Sequence, residues 1–83
     1  MTRIAKLYAR FLASPRGHSF RDFERLLDAF GFTHDRMVGS HRQYVHPKAP
    51  RSLPVQPSSK EAKPYQVRQF LAMVQEYGLD VSE

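Results

Sequence analysis

The sequence predicts an α+β domain, in which helices pack on one face of a three-stranded antiparallel sheet. Two observations support this prediction. Apolar residues recur at helical spacing in two N-terminal stretches and one C-terminal stretch, and short alternating runs that are typical of strands lie between them. The predicted order is α-α-β-β-β-α, and the other face of the sheet would be left for a ligand or a partner.

Two helices are predicted before the strands. The first ends at 14–17, a run of turn-forming residues. The second begins after Ser19, a favoured N-cap residue, although Asp22 stands where a capping box usually has Glu or Gln. Gly31 follows where many helices end in a left-handed residue. The apolar stripes of the two helices consist of Ile4, Leu7, Tyr8, Phe11 and Leu12, and of Phe20, Phe23, Leu26, Leu27 and Phe30.

The first two strands are predicted over 32–38 and 41–46. They flank a Gly-Ser pair at 39–40, which indicates a tight hairpin turn. Successive side chains of a strand point to opposite faces of its sheet. His41 should therefore face away from Tyr44.

The third strand and the last helix complete the predicted order. The strand covers 53–56, and Pro54 indicates an edge position because proline cannot donate a ladder hydrogen bond. A polar connection over 57–63 then leads to Pro64, which suits the first turn of a helix. Gly78 ends this helix, whose apolar stripe consists of Val67, Phe70, Leu71, Val74 and Tyr77.

The length of 83 residues predicts a single domain, 1–83. Within it we distinguish an N-terminal helical extension, 1–17, from a core, 18–79. The absence of cysteine excludes disulfides and thiolate metal sites. No apolar run approaches the roughly 20 residues that span a bilayer, and no signal peptide is expected. We therefore expect a cytoplasmic protein with no membrane partner.

The charge of the chain predicts a polyanionic partner. The formal net charge is +5, and the segment from Arg36 to Arg68 holds seven basic residues and one acidic residue. So strong a bias in so short a chain favours nucleic acid. The alternative is that these side chains only keep the surface soluble.

RNA cleavage needs few protein groups, because every phosphate lies beside a 2′-hydroxyl that can act as nucleophile. Histidine suits the proton transfers, since its ordinary pKa is about 6.5. Gly39 permits close approach to a phosphate, Ser40 can donate a hydrogen bond, and His41 follows directly. A solvated hairpin histidine without a role is the alternative. The candidate phosphate-binding cations are Arg36, Arg42, Lys60, Lys63 and Arg68.

The other histidines carry weaker indications. His46 ends a strand and is expected to be structural or solvated. His34 could lie near His41 across the hairpin as a second acid or base, or simply be a surface residue. His18 precedes a helix cap and is expected to be incidental. No spacing fits a metal site, and no cofactor is expected. Two tyrosines are candidates for stacking on bases, Tyr44 and Tyr65.

Several short motifs follow one another between residues 20 and 79, and together they resemble the HicA toxin family of type II toxin–antitoxin systems. The resemblance covers about three quarters of the chain. Gly-Ser-His alone is a weak motif, and its position among the others gives it weight. The matching residues are Gly31-Phe32, Arg36, Gly39-Ser40-His41, Tyr44, His46-Pro47, Leu53-Pro54, Lys63-Pro64-Tyr65-Gln66-Val67 and Gly78-Leu79.

The resemblance implies a fold similar to a double-stranded-RNA-binding domain, cleavage of mRNA independently of the ribosome, and neutralisation by a HicB-type antitoxin. The family's catalytic histidine falls on His41. Many members carry a second histidine after the third strand, where this chain has Gln56-Pro57. If that histidine aids catalysis, this protein would be slower, or would depend more on His34 or Lys60.

Three functions therefore stay open at the level of sequence. The leading hypothesis is an endoribonuclease in which His41 takes the proton of the 2′-hydroxyl or gives one to the leaving 5′-oxygen. The second is an RNA-binding module without catalysis. The third is a protein-interaction domain whose basic face is covered by an acidic partner.

Overall fold

The structure, a computed structural model, describes residues 3–81. The predicted order of elements is confirmed, and each strand ends one residue earlier or begins one residue later than predicted. Phe32, His46 and Gln56 lie just outside the strands. The elements are α1 Arg3–Ala13, α2 Phe20–Ala29, β1 Thr33–Val38, β2 His41–Val45, β3 Leu53–Val55 and α3 Pro64–Tyr77.

Both ends of α2 follow the predicted capping. The Ser19 hydroxyl accepts a hydrogen bond from the backbone N–H of Asp22 at 3.1 Å, which satisfies one of the free donors of the first turn. At the other end Phe30 is the C-cap, and Gly31 follows with a φ of +89°. The predicted left-handed glycine is confirmed.

The three strands form an antiparallel sheet in the order β1-β2-β3. Among residues 3–81, β3 pairs only with β2, so Pro54 lies in an edge strand, as predicted. A bulge interrupts the β1–β2 ladder between His34 and Arg36. Because a bulge adds one residue to one strand, it changes which side chains of β1 share a face with those of β2.

The helices cover one face of the sheet, which we call the helix face, and leave the other, the open face. Tyr44, Leu53 and Val55 are buried on the helix face, where α3 packs against β3. The α+β layer predicted from the sequence is therefore confirmed. The centre of the core is aromatic, and the ring of Phe70 meets those of Phe23, Phe30 and Phe32 edge-on at centroid distances of 5.8, 5.3 and 5.8 Å.

The N-terminal helix shares this core. Phe11 is fully buried and Leu7 nearly so, and the Tyr8 ring lies 4.9 Å from that of Phe30. The expectation that His18 is incidental is wrong. Its ring is buried, stacks on Phe11 at 3.9 Å and hydrogen-bonds the backbone oxygen of Ser14.

A short backbone bridge ties the connection before α2 to the connection before α3. The N–H of Phe20 donates to the oxygen of Lys60, and the N–H of Ala62 donates to the oxygen of His18, both at 2.9 Å. The segment that carries Lys60 and Lys63 is thereby fixed to the start of α2.

Gly31 is the glycine at which a side chain should cost most. A Cβ there would meet the same left-handed strain as one at Gly17, whose φ is +81°, and would also lie 3.2 Å from Nε2 of His46. Nothing lies within 4 Å of a Cβ at Gly17. We expect Gly17→Ala to cost about 1 kcal/mol and Gly31→Ala about 2 kcal/mol or more.

Thermal unfolding followed by circular dichroism measures the difference. For a domain of this size each kcal/mol lowers the Tm by about 4–8 °C. Equal Tm values for the two variants would show that the contact with His46 adds nothing.

Candidate active site

The turn between β1 and β2 builds the centre of the site. Gly39 and Ser40 are its two central residues, and Val38 pairs with His41 across its base. Gly39 has a φ of +62°, and Ser40 has no positive φ. This combination fits a type II′ turn, which has glycine first. The predicted tight glycine turn before His41 is confirmed.

His41 lies on the open face, as the alternation of β2 predicts. Its neighbour Arg42 and, two residues further, Tyr44 both point to the helix face. The imidazole is partly exposed. Among residues 3–81 its one hydrogen-bond contact is a long one, 3.5 Å from Nδ1 to the Ser40 hydroxyl. Nε2 is therefore available to a substrate.

Arg36 shares the open face with His41. It pairs with Gln43, which lies two residues beyond His41 on the same side of β2. Its side chain is 75% exposed and contacts the carboxylate of Asp35 at 3.2 Å. An ion pair so exposed holds its partners weakly, so the guanidinium can turn to a phosphate.

A groove extends this face from Arg36 to the loop between β2 and β3. Arg51, a cation at the far end of this groove, lies in the basic segment but is not among the candidate residues that the sequence pattern indicates. The Arg51 guanidinium donates to the Tyr77 hydroxyl and to the Glu76 carboxylate, each at 3.1 Å. These two hydrogen bonds raise the pKa of Arg51 above its ordinary value, and they leave it less free than Arg36.

Arg42, a predicted phosphate ligand, lies on the opposite face from His41. Its guanidinium donates to the Glu24 carboxylate at 2.9 Å and to the Tyr44 hydroxyl at 3.4 Å, and lies 5.8 Å above the ring of Phe20. The hydrogen bond to Tyr44, and after it the one to Glu24, raises the pKa of Arg42. These contacts indicate a structural role.

The other predicted cations, Lys60, Lys63 and Arg68, are exposed. Among residues 3–81 their side chains form no ion pair. Lys63 is the N-cap of α3, and its side chain makes no capping hydrogen bond. None of the three contacts His41 directly.

Gln56 is the position that the register brings beside His41. Arg42 pairs with Val55 in an antiparallel ladder. Continuing this register, Gln56, which follows Val55, is level with His41, which precedes Arg42. Val55 is buried on the helix face, and the alternation places Gln56 on the open face. The sequence shows this residue as a departure from the family, and the strand register indicates its position in the site.

Two histidines have roles different from His41. His34 does not approach His41, because it pairs with Tyr44 beyond the bulge and its ring lies 5.8 Å from that tyrosine. The suggestion that it serves as a second acid or base is wrong. His46 is structural: its Nε2 donates to the Phe30 oxygen at 2.8 Å, and its Nδ1 accepts from the Lys48 N–H at 3.0 Å.

The two tyrosines proposed for base stacking differ. Tyr44 is buried, with 7% of its surface exposed, so its proposed stacking role is wrong. Tyr65 is 48% exposed at the start of α3, and its candidacy stays open. Within residues 3–81 no cluster of three or more His, Asp or Glu could hold a metal.

The fold and this site define a small α+β protein with a partly exposed histidine and a basic surface. A family model described as "HicA toxin of bacterial toxin-antitoxin" matches residues 20–75, about two thirds of the chain. The chain belongs to the HicA family of toxins from bacterial toxin–antitoxin systems. No curated protein and no solved structure matches it, and the likeness to double-stranded-RNA-binding domains stays a prediction. Within residues 3–81 no helix is long and apolar enough to span a membrane.

The two arginines on opposite faces should differ in their contribution to stability. Replacing Arg42 by methionine keeps most of the stem but loses the contacts to Glu24 and the Phe20 ring, and we expect a loss of about 1 kcal/mol. The matched change Arg36→Met should stay within about 0.5 kcal/mol of the unmodified protein.

Urea unfolding of both variants provides the measurement. An Arg42→Met variant as stable as Arg36→Met would contradict the structural role of Arg42.

Proposed function

We propose that this toxin is an endoribonuclease that cleaves mRNA without a metal, with His41 as its catalytic residue. The observation that supports this most is the position of His41, which directly follows the glycine turn on the open face and whose Nε2 has no hydrogen-bond partner within residues 3–81. A proton-transfer group must reach its substrate. His18 is buried, and both ring nitrogens of His46 are already hydrogen-bonded, so neither histidine can reach the RNA in this way.

The reaction would use the nucleophile that RNA itself carries. The 2′-oxygen attacks the adjacent phosphorus while the bond from phosphorus to the 5′-oxygen breaks. The 2′-hydroxyl loses its proton, and the 5′-oxygen gains one. The products are a 2′,3′-cyclic phosphate and a free 5′-hydroxyl. His41 would perform one of the two proton transfers.

The charges around the turn would hold the scissile phosphate and stabilise the charge that develops on it. Arg36 is the guanidinium on the same face, and Gly39 and Ser40 bring backbone N–H groups to the turn. Lys60, Lys63 and Arg68 would bind phosphates further along the strand. Because phosphate contacts release counterions, RNA binding should weaken steeply with salt.

The family implies an antitoxin partner. We propose a HicB-type protein that acts in the cytoplasm with this toxin and covers the open face with acidic side chains. Covering His41 would block the substrate sterically and would require no change in the toxin's conformation.

Removal of the His41 imidazole is the central test. His41→Ala should lose RNA cleavage by 100-fold or more, as general acid–base catalysis typically contributes about 10²–10⁴, and should retain its Tm and its affinity for RNA. His34→Ala is the matched control, because this histidine is exposed on the helix face. This variant should cleave RNA at the rate of the unmodified protein. Cleavage of a defined mRNA in EDTA is read on a gel.

Three results would contradict the assignment. Full activity of His41→Ala rejects His41, and inhibition by EDTA points to a metal enzyme. RNA that is bound and left intact by the unmodified protein indicates a binding module.

A substrate with sulfur in place of the scissile 5′-oxygen separates the two roles of His41. Since a thiolate leaves without protonation, His41→Ala should cleave it at the normal rate if His41 is the acid, and should stay impaired if it is the base.

Restoring a histidine at residue 56 should raise activity. Continuing the β2–β3 register by one residue past Arg42–Val55 places Gln56 level with His41 on the open face, and an imidazole there could perform the second proton transfer. We expect Gln56→His to cleave about 10-fold faster or more, within the range of general acid–base catalysis. Gln56→Asn keeps an amide and is the control.

The dependence of the cleavage rate on pH provides a second readout. Gln56→His should change the profile as well as the maximal rate, because a new titrating group enters the reaction. A rate and a profile equal to those of Gln56→Asn would argue against a proton-transfer role at this position.

A further inference from the structure

α1 and α2 form a cationic groove far from His41 in the sequence. Arg3, Lys6 and Arg10 are exposed along one side of α1, and among residues 3–81 none of them forms an ion pair. The single carboxylate of the groove, on Asp22, contacts Arg25 at 3.5 Å. The lining residues are Arg3, Lys6, Leu7, Arg10, Asp22 and Arg25.

Two of the three cations of α1 do not stabilise the helix, whereas Arg10 lies in the last turn, where a cation is favourable. Its sequence contains three basic residues and no acidic one, and its first turn has no acidic side chain. The positive end of the helix dipole lies at the N-terminus, where cations are unfavourable. Arg3 and Lys6 therefore lie where they oppose helix formation, and solubility alone would be served as well by mixed charges.

The groove lacks the features of a protein interface. Stable protein interfaces depend on buried aromatic or aliphatic anchors. The apolar residue lining this groove, Leu7, is only 6% exposed because it already packs into the core. The charged groups that line the groove within residues 3–81 are four cations and one carboxylate, and this excess of positive charge complements a phosphate backbone.

The spacing of the three cations suits consecutive phosphates. Arg10 follows Arg3 by seven positions, which is about 10 Å along a helix axis. Three long, flexible cationic side chains spread over this length can each contact a phosphate of one RNA strand.

We propose that Arg3, Lys6 and Arg10 form a second RNA-binding surface that holds the substrate's backbone away from the cleavage site. This inference rests on the proposed function only in taking RNA as the ligand. The surface lies outside residues 20–75, the part of the chain that the family model matches. It would increase the affinity for RNA without adding base specificity.

The test compares Arg3→Ala/Lys6→Ala/Arg10→Ala with the control Arg16→Ala/Lys48→Ala, whose two residues are exposed and outside the groove. Both sets are made in His41→Ala protein, so that RNA stays intact during binding. Alanine favours helix, so α1 should persist, and circular dichroism checks this. Affinity for a 20-nucleotide single-stranded RNA is measured against salt concentration.

The triple variant should bind at least 10-fold more weakly at low salt. Its plot of log affinity against log salt should be less steep by about 2, since each lost phosphate contact removes about 0.7. The control should lose less than 3-fold. The triple variant with His41 intact should still cleave RNA at saturating enzyme concentration.

The experiment distinguishes a failure of this inference from a failure of the proposed function. A triple variant that binds RNA as tightly as the control, while the unmodified protein cleaves RNA, overturns this inference alone. Weaker binding of the triple variant to a polyglutamate probe, with RNA affinity unchanged, assigns the groove to an acidic protein and also overturns it. An unmodified protein that neither binds nor cleaves RNA overturns the proposed function and this inference together.

Discussion

The alternation of side chains along β2 is the constraint on which the rest of the structure depends. Tyr44 is buried and Arg42 is bound to Glu24 on the helix face, so the intervening positions must face outward. A shift of one residue in register would exchange the two faces. It would bring His41 under the helices and expel Tyr44. The burial of one tyrosine therefore keeps the candidate catalytic imidazole exposed.

The basic residues divide by face in the same way. Arg42 has a structural role, because it joins the sheet to α2 through Glu24 and covers the ring of Phe20. Arg36 and the cations of α1 lie at the surface, where water screens them and weak or absent pairing leaves them free for a ligand. Net charge alone does not distinguish these two uses of arginine, whereas the partner and the exposure of each guanidinium do.

The four histidines show how environment decides the role of one residue type. Both ring nitrogens of His46 are hydrogen-bonded, which fixes the orientation of the ring and ties the end of β2 to the end of α2. His18 fills part of the core against Phe11. His34 lies beside Tyr44 on the helix face. Only the ring of His41 combines the open face with a free nitrogen, which is why the proposed chemistry depends on it.

The sequence by itself determined the order of elements, the capping of α2 at Ser19, the edge position of Pro54 and the exposure of His41, because local periodicity and turn chemistry specify them. Only the tertiary structure decided which distant residues meet. Pairing between segments that are remote in the chain produces three features: the bulge that separates His34 from His41, the ion pair of Arg42 with Glu24, and the position of Gln56 beside His41. Such pairing leaves no periodic signal in a single sequence.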